Sequence, residues 1–451
     1  MENTNSLIDH LEKELLEKKF ISKPIDREIL SKLDVIGFDI DHTLVLYNFE
    51  ALTQILYTSF SRYLVEHKNY PKELLIYSED LKDDSEKQEN KKFREDFVHK
   101  YSSTEVVLDF NTGNAISLDE NKKVIKAFHG TSELSEDQIV LSYGESKEFV
   151  EFNFDKKGEN YQLILGNFEY HAIPLYLISV HLYDEGILKN ERITSYKVII
   201  DDIWEALFFN YNLYDQETGA IKKLCDTGYF FPEFIKNPKL YLHDYSAKEM
   251  LQHLKSKGKG VFFATNSFFE FADIIMKNTI GEDYLDYFDL AIYYSKKPEF
   301  FHQTNTTEAF SLDLSSSDQL KKPGIKPEDL ESQNVFEMVS KEKILLQGSY
   351  KNVEAFYKKM KGDNLKYLFV GDNFYADCDE PNNLPNWDSV AVCDHISTGF
   401  IGSQPQDFKQ MWAVEHSLGV QGQQKQSVFL TKHLREKTLF TVSNVDTFKH
   451  L

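Results

Sequence analysis

Cysteine is scarce: Cys225, Cys378 and Cys393 are the three in 451 residues, an odd number at no metal-ligand spacing. That argues against a disulfide framework and a cysteine-held zinc site, and it fits a reducing compartment. Basic side chains are also in deficit, 51 against 73 acidic, for a formal charge of −22. A field of that sign repels polyphosphate backbones and anionic bilayers, so neither nucleic acid nor a membrane is expected as a partner. Long hydrophobic runs are missing too. The first 33 residues are charged throughout, without the apolar stretch of a secretory leader. Nowhere do the roughly 18 unbroken apolar residues of a membrane span occur. The expectation is a soluble cytoplasmic protein of two or three cores, or of one core with a large insertion, and no internal repeat divides it.

What the chain does have is short apolar runs that stop abruptly at polar residues, the pattern of parallel strands buried on both faces. Five qualify: DVIGFDID (34–41), GVFFATNS (260–267), FDLAIYY (288–294), KYLFVGDN (366–373) and SVAVCDH (389–395). More than two hundred residues separate the first from the second, so one insertion, about 49–238, dominates the organisation. Within it, 51–68 and 201–213 carry helical spacing, and 108–130 reads as a hairpin turning at DENK. The charge run 78–96 reads as a solvated loop, and 303–335 as a surface excursion. Ahead of the second strand, SAKEMLQHLKSKGKG predicts a helix with Ser246 and Glu249 as a capping box and Met250, Leu251 and Leu254 inward. After it, SFFEFADIIMKNTIGED predicts another helix, whose positive amino end faces Thr265, Asn266 and Ser267.

In an open parallel sheet, ligands gather at the carboxyl ends of the strands. The first run delivers Asp39 and Asp41, the second Thr265, the third is followed by Lys297, and the fourth ends in Asp372 with Asp377 five residues on. Adjacent strands would crowd four carboxylates and one ammonium into one volume. A divalent hard cation with oxygen ligands relieves that repulsion, and Mg²⁺ is the usual choice where phosphate oxygens complete the shell. One carboxylate, held by the ion and the lysine, stays ionised as a nucleophile on phosphorus; Asp41 can then serve as general acid.

The order DxDxT, Thr, Lys, GDxxxxD resembles the haloacid dehalogenase superfamily of phosphatases. More narrowly, GFDIDHTL, FFATNSFF, KKPEFF, FVGDNFYAD and GNAISLDENKKVIKAFHG are similar to the cytosolic purine 5′-nucleotidase family, nearest its 5′-nucleotidase domain-containing members. The resemblance implies a Rossmannoid α/β core built from residues 1–48 and 239–451, with an α+β cap, 49–238, inserted after the first strand. It implies catalytic roles for Asp39 (nucleophile), Asp41 (acid, then base), Thr265 and Lys297. Substrate phosphate would be held by Thr265, Asn266, Ser267 and Lys297. Mg²⁺ would be held by Asp39, the Asp41 backbone carbonyl and Asp372, with Asp377 ligating through water or orienting the shell. The Lys-Pro dipeptide of the family selects Lys297 over Lys296. The implied substrate is a nucleoside monophosphate or another small phosphorylated metabolite, and the relatives' self-association implies a homo-oligomer.

The base-reading Arg, Asp and His of the purine enzyme's cap helix have Trp204, Phe208 and Tyr211 as counterparts here, which argues against purine selectivity. Two readings therefore stand: a phosphomonoesterase, or a catalytically weak binding or regulatory protein that retains the site, with the aromatic helix closing the entrance or contacting a partner. His42, His129 and Cys378 read as structural, Asp379 as a solvated neighbour, and Thr265 as a cap for the following helix as well as a phosphate ligand. The tail at 426–440 reads as a segment docked on the core or on another subunit.

Overall fold

In a computed structural model, the described residues are 31–76, 98, 106–119, 121–152, 158–213, 222–312, 324–392, 438–439, 441–442 and 444–450. The charge run 78–96, Cys393 and nearly all of the tail 426–440 lie outside them. Among the described residues no helix is long and apolar enough to cross a membrane.

All five apolar runs are strands. They form β1 (Val35–Phe38), β7 (Gly260–Ala264), β8 (Leu290–Tyr293), β11 (Tyr367–Gly371) and β12 (Trp387–Val392) of one eight-stranded sheet. Three further strands escaped the sequence pattern: β9 (Ala309–Ser311), β10 (Ile344–Gln347) and β13 (Thr441–Val442). They are short and close to the sheet edges, where a brief apolar run suffices. The order is β13-β12-β11-β1-β7-β8-β10-β9, parallel except for β9 against β10. The supposed surface excursion at 303–335 thus supplies the antiparallel edge strand, and its residues 313–323 lie outside the described set. Because β1 pairs Phe38 with both Val370 and Phe263, the chain leaves three neighbouring strands at one level, where Asp39, Thr265 and Asp372 sit.

A second sheet, five-stranded and antiparallel in the order β5-β4-β3-β2-β6, is built from residues 106–164 alone: β2 (Val106–Asp109), β3 (Asn114–Leu118), β4 (Val124–His129), β5 (Ser132–Glu133) and β6 (Tyr161–Ile164). The turn at DENK is there, with Asp119 accepting the N–H groups of Asn121 and Lys123 at 2.8 and 2.9 Å. Residues 108–130 make two turns rather than one, since Asp109 takes the N–H of Asn111 and folds β2 back onto β3. One apolar cluster runs from Leu52 and Phe60 to Leu254 and Ile275, so packing alone marks no boundary at 48 or 238.

The helix before β7 spans Lys248–Ser256 and buries Met250, Leu251 and Leu254 as expected. The capping box does not form. Ala247 is the N-cap, and Glu249 reaches Lys449 at 3.0 Å, in the 3-10 turn that follows β13. The helix containing 201–211 begins earlier, at Tyr196, and is buried along one face only: Phe208 stands 55 % exposed.

His171 is fully buried at the start of the helix Ala172–Asp184, edge-on to Phe60 at 4.1 Å between ring centroids. Among the described residues neither ring nitrogen has a hydrogen-bond partner. Burial pushes its imidazolium down to about 3, below the ordinary 6.5. The unfolded chain therefore binds a proton that the folded chain refuses. Stability from this site is complete above about pH 6.5 and is lost as pH falls toward 3, by about 2 kcal/mol at pH 5. Urea titrations of His171→Phe should show that increment of acid sensitivity removed; an unchanged pH slope would contradict it.

Candidate active site

Strand β1 ends one residue before Asp39, whose N–H donates to the Val370 carbonyl at 2.8 Å. The carboxylate leaves the sheet at its most central point and meets Lys297, with Nζ 2.9 Å from Asp39 Oδ1 and 2.7 Å from Asp377 Oδ1. Both Lys297 and Asp377 are buried. Burial alone would lower the ammonium, but the carboxylates of Asp377 and Asp39 outweigh it and hold it above its ordinary value. Burial pushes the Asp377 carboxyl up, against the opposing pull of Lys297. Asp372 completes the group: one carboxylate oxygen from each of Asp39, Asp372 and Asp377 lies within 4.8 Å of the others. Three carboxylates against one ammonium, all with hard oxygen donors, suit a divalent cation of the Mg²⁺ class.

The glycine before Asp372 has a steric reason. The π-helical turn Phe374–Asp379, which begins two residues after Asp372, contains Asp377 and folds it back over the strand end. A Cβ on Gly371 would stand 2.4 Å from Asp377 Oδ2, and the Asn373 N–H holds that same oxygen at 3.1 Å. Asp379, expected to be solvated, is mostly buried because the same turn carries it inward. Cys378 is buried as expected.

Asp41 lies apart from the three-carboxylate group. Its Oδ1 accepts from the Tyr47 hydroxyl at 2.5 Å and its Oδ2 from the Ser267 hydroxyl at 2.8 Å. Burial, then the neighbouring Asp39 charge, raises its carboxyl above the ordinary carboxylate range. Each side-chain oxygen thus accepts one hydroxyl hydrogen bond. His42, at φ 57°, packs against Tyr47 and Phe168, and His129 bonds Asn114 and Asp184.

The Thr265–Ser267 segment is placed as expected but works differently. The helix begins at Phe269 with Phe268 as N-cap, and Thr265 Oγ1 instead accepts the Ser267 N–H at 3.0 Å, shaping the turn before it. Asn266 grips the lysine segment: its Oδ1 accepts the Lys297 N–H at 2.6 Å and its Nδ2 donates to the Lys297 carbonyl at 2.9 Å. Its side chain is a positioning group here, so a contact with phosphate would have to come from its backbone.

A cavity of about 290 Å³ opens over these groups, walled by Phe168, Tyr211, Phe230, Phe231, Phe268 and Phe271. Asn167, which carried no sequence signal, donates from the insertion to Asp372 Oδ2 at 2.7 Å across 205 residues. Of the three aromatic helix positions only Tyr211 reaches this cavity; Trp204 and Phe208 line a separate cleft with Tyr63 and Phe209. The three stand at i, i+4 and i+7 on one helix face, and Tyr211, at its carboxyl end, is the one that lines the cavity.

The family model described as "5' nucleotidase family" matches residues 25–436. The chain is similar to 5'-nucleotidase domain-containing protein 1 of Homo sapiens, 28 % identical over 376 residues that cover 81 % of this chain and 73 % of the relative. The Bos taurus protein of the same name is 27 % identical over the same shares. 5'-nucleotidase domain-containing protein 2 of Rattus norvegicus is 23 % identical, covering 81 % of this chain and 58 % of that protein. A family match across most of the chain, reaching from before Asp39 to beyond Asp377, places the protein in the 5′ nucleotidase family.

Proposed function

We propose that the protein is an Mg²⁺-dependent phosphomonoester hydrolase of the 5′-nucleotidase type, working through an aspartyl phosphate. Residues 1–48 and 239–451 would form a haloacid dehalogenase-like Rossmannoid core, with 49–238 as its cap. The observation that carries this reading is Asp39 at the end of the central strand, 2.9 Å from Lys297 Nζ and grouped with Asp372 and Asp377. Membership of the 5′ nucleotidase family supports a phosphatase-type activity.

Asp39 attacks phosphorus in line: its bond to phosphorus forms as the bond from phosphorus to the ester oxygen breaks. Asp41 gives its proton to that departing oxygen, then takes one from the water that hydrolyses the aspartyl phosphate. Its raised carboxyl suits the first task. The Thr265 hydroxyl, the Ser267 segment and the backbone N–H groups ahead of the helix Phe269–Thr279 bind phosphate oxygens, and Lys297 offsets the charge on Asp39 and phosphate. Asp39, the Asp41 carbonyl and Asp372 would hold Mg²⁺, with Asp377 orienting that set. Bound there, the ion would supply charge stabilisation for the phosphoryl oxygens. The aromatic cavity suits a flat, weakly polar leaving group, as in a nucleoside monophosphate or an aryl ester.

Purified protein with Mg²⁺ is expected to release phosphate from p-nitrophenyl phosphate, and chelation to stop it. A panel of nucleoside monophosphates and sugar phosphates then ranks the leaving groups, nucleosides ahead of sugars. Inertness across the whole panel would overturn the hydrolase reading in favour of a binding protein.

A further inference from the structure

Tyr47 carries no role in the scheme above, yet its hydroxyl touches the acid. It lies six residues after Asp41, is buried, and donates to Oδ1 at 2.5 Å. Its ring is wedged between others: His42 at 4.8 Å, Phe168 edge-on at 5.5 Å and Phe234 at 6.5 Å between centroids. The Tyr47 backbone is bridged to Leu242. A phenol oxygen lies in the ring plane on the ring axis, so clamping the ring fixes the oxygen. Two of the clamping rings, Phe168 and Phe234, come from residues 49–238, and Phe168 is also a wall of the cavity.

The other oxygen is held differently. Ser267 lines the cavity, and its hydroxyl, which donates to Oδ2 at 2.8 Å, turns freely about its own Cβ–Oγ bond. Oδ1 therefore faces the buried phenol behind the cavity wall, and Oδ2 faces the side from which a substrate arrives. A carboxyl group with both oxygens free to rotate would present its proton to the ester oxygen only part of the time.

We propose that Tyr47 is a positioning residue for Asp41, anchoring Oδ1 so that Oδ2 alone exchanges a proton with the substrate. This rests on the phosphatase reading. In the reaction the proton passes from Oδ2 to the bridging ester oxygen as its bond to phosphorus breaks, and the electron pair of that bond stays with the departing oxygen. The phenol keeps its proton throughout.

The test is a leaving-group comparison with Tyr47→Phe, which keeps the ring and deletes the donor. Two aryl esters fill the same cavity but differ in the basicity of the departing oxygen: p-nitrophenyl phosphate needs little protonation, and p-methoxyphenyl phosphate needs it more. The value of kcat/KM, which reports departure of the leaving group, is expected to fall about 30-fold on the methoxy ester and about threefold on the nitro ester, within the range a general acid commands. In an Asp41→Asn background the same substitution is expected to change neither ester by more than about twofold, because the group it positions is already gone. Near-UV circular dichroism checks that the packed rings survive. Equal losses on both esters, or the same loss in the Asp41→Asn background, would overturn the assignment and leave Tyr47 a packing residue. A wild-type protein inert on both esters is a different result, which sinks the phosphatase reading itself and this inference with it.

Discussion

Asp39→Asn is expected to lower phosphate release from p-nitrophenyl phosphate by on the order of 10⁴-fold or more, because an amide cannot form the bond to phosphorus that the scheme requires. The fold should survive. Asp39 sits among Asp372 and Asp377 with Lys297 as their shared ammonium, so removing one negative charge relieves repulsion at least as much as it weakens an ion pair. Acid quenching during turnover of ³²P-labelled substrate should leave label on the wild-type chain and none on the variant. Turnover within tenfold of wild type would end the assignment of Asp39 as nucleophile.

Lys297→Met is expected to be the most destabilising single change at the site. The lysine is the ion-pair partner of two carboxylates, and Asp377 is wholly buried. Removing one partner of a buried pair leaves an uncompensated charge and costs about 3–5 kcal/mol. The cost should shrink as pH falls. Burial already pushes the Asp377 carboxyl up against the pull of the ammonium, and without it the folded-state value stands further above the unfolded one, so the unfolded chain releases that proton first and stability is lost as pH rises through that window. Urea midpoints of the variant, measured without metal, should therefore approach wild type on acidification. A midpoint at neutral pH indistinguishable from wild type would show that the ion pairs contribute nothing net.

Much of this was legible in the residues because it is local. A strand buried on both faces must be apolar along its length and must stop where the sheet stops, so β1, β7, β8, β11 and β12 announce themselves, and the residues just past them fall at one end of the sheet. Asp39, Thr265 and Asp372 stand where that argument puts them, with Asp377 following, whereas Lys297 was selected over Lys296 only through the Lys-Pro resemblance; hairpin and helical spacing pointed to the turn at Asp119 and the inward face of Lys248–Ser256. The argument failed where a side chain had two candidate partners. Ser246 and Glu249 have the spacing of a capping box, but Lys449, from near the end of the chain, takes Glu249 instead. Asn266, proposed as a phosphate ligand, turns its side chain to the Lys297 backbone and still lines the cavity.

The sequence by itself determined five strands of the main sheet, their carboxyl-end residues and hence the acidic and basic groups available for chemistry. Tertiary structure alone decided which distant segments serve those groups. It set Asn167 on Asp372, Tyr47 and Ser267 on Asp41, and Tyr211 rather than Trp204 or Phe208 in the cavity wall. Burial and periodicity are written into a short stretch of chain because each residue there must meet the same environment. A hydrogen bond between residues 205 apart leaves no such trace, since its partners need only be polar and are brought together by everything that folds between them.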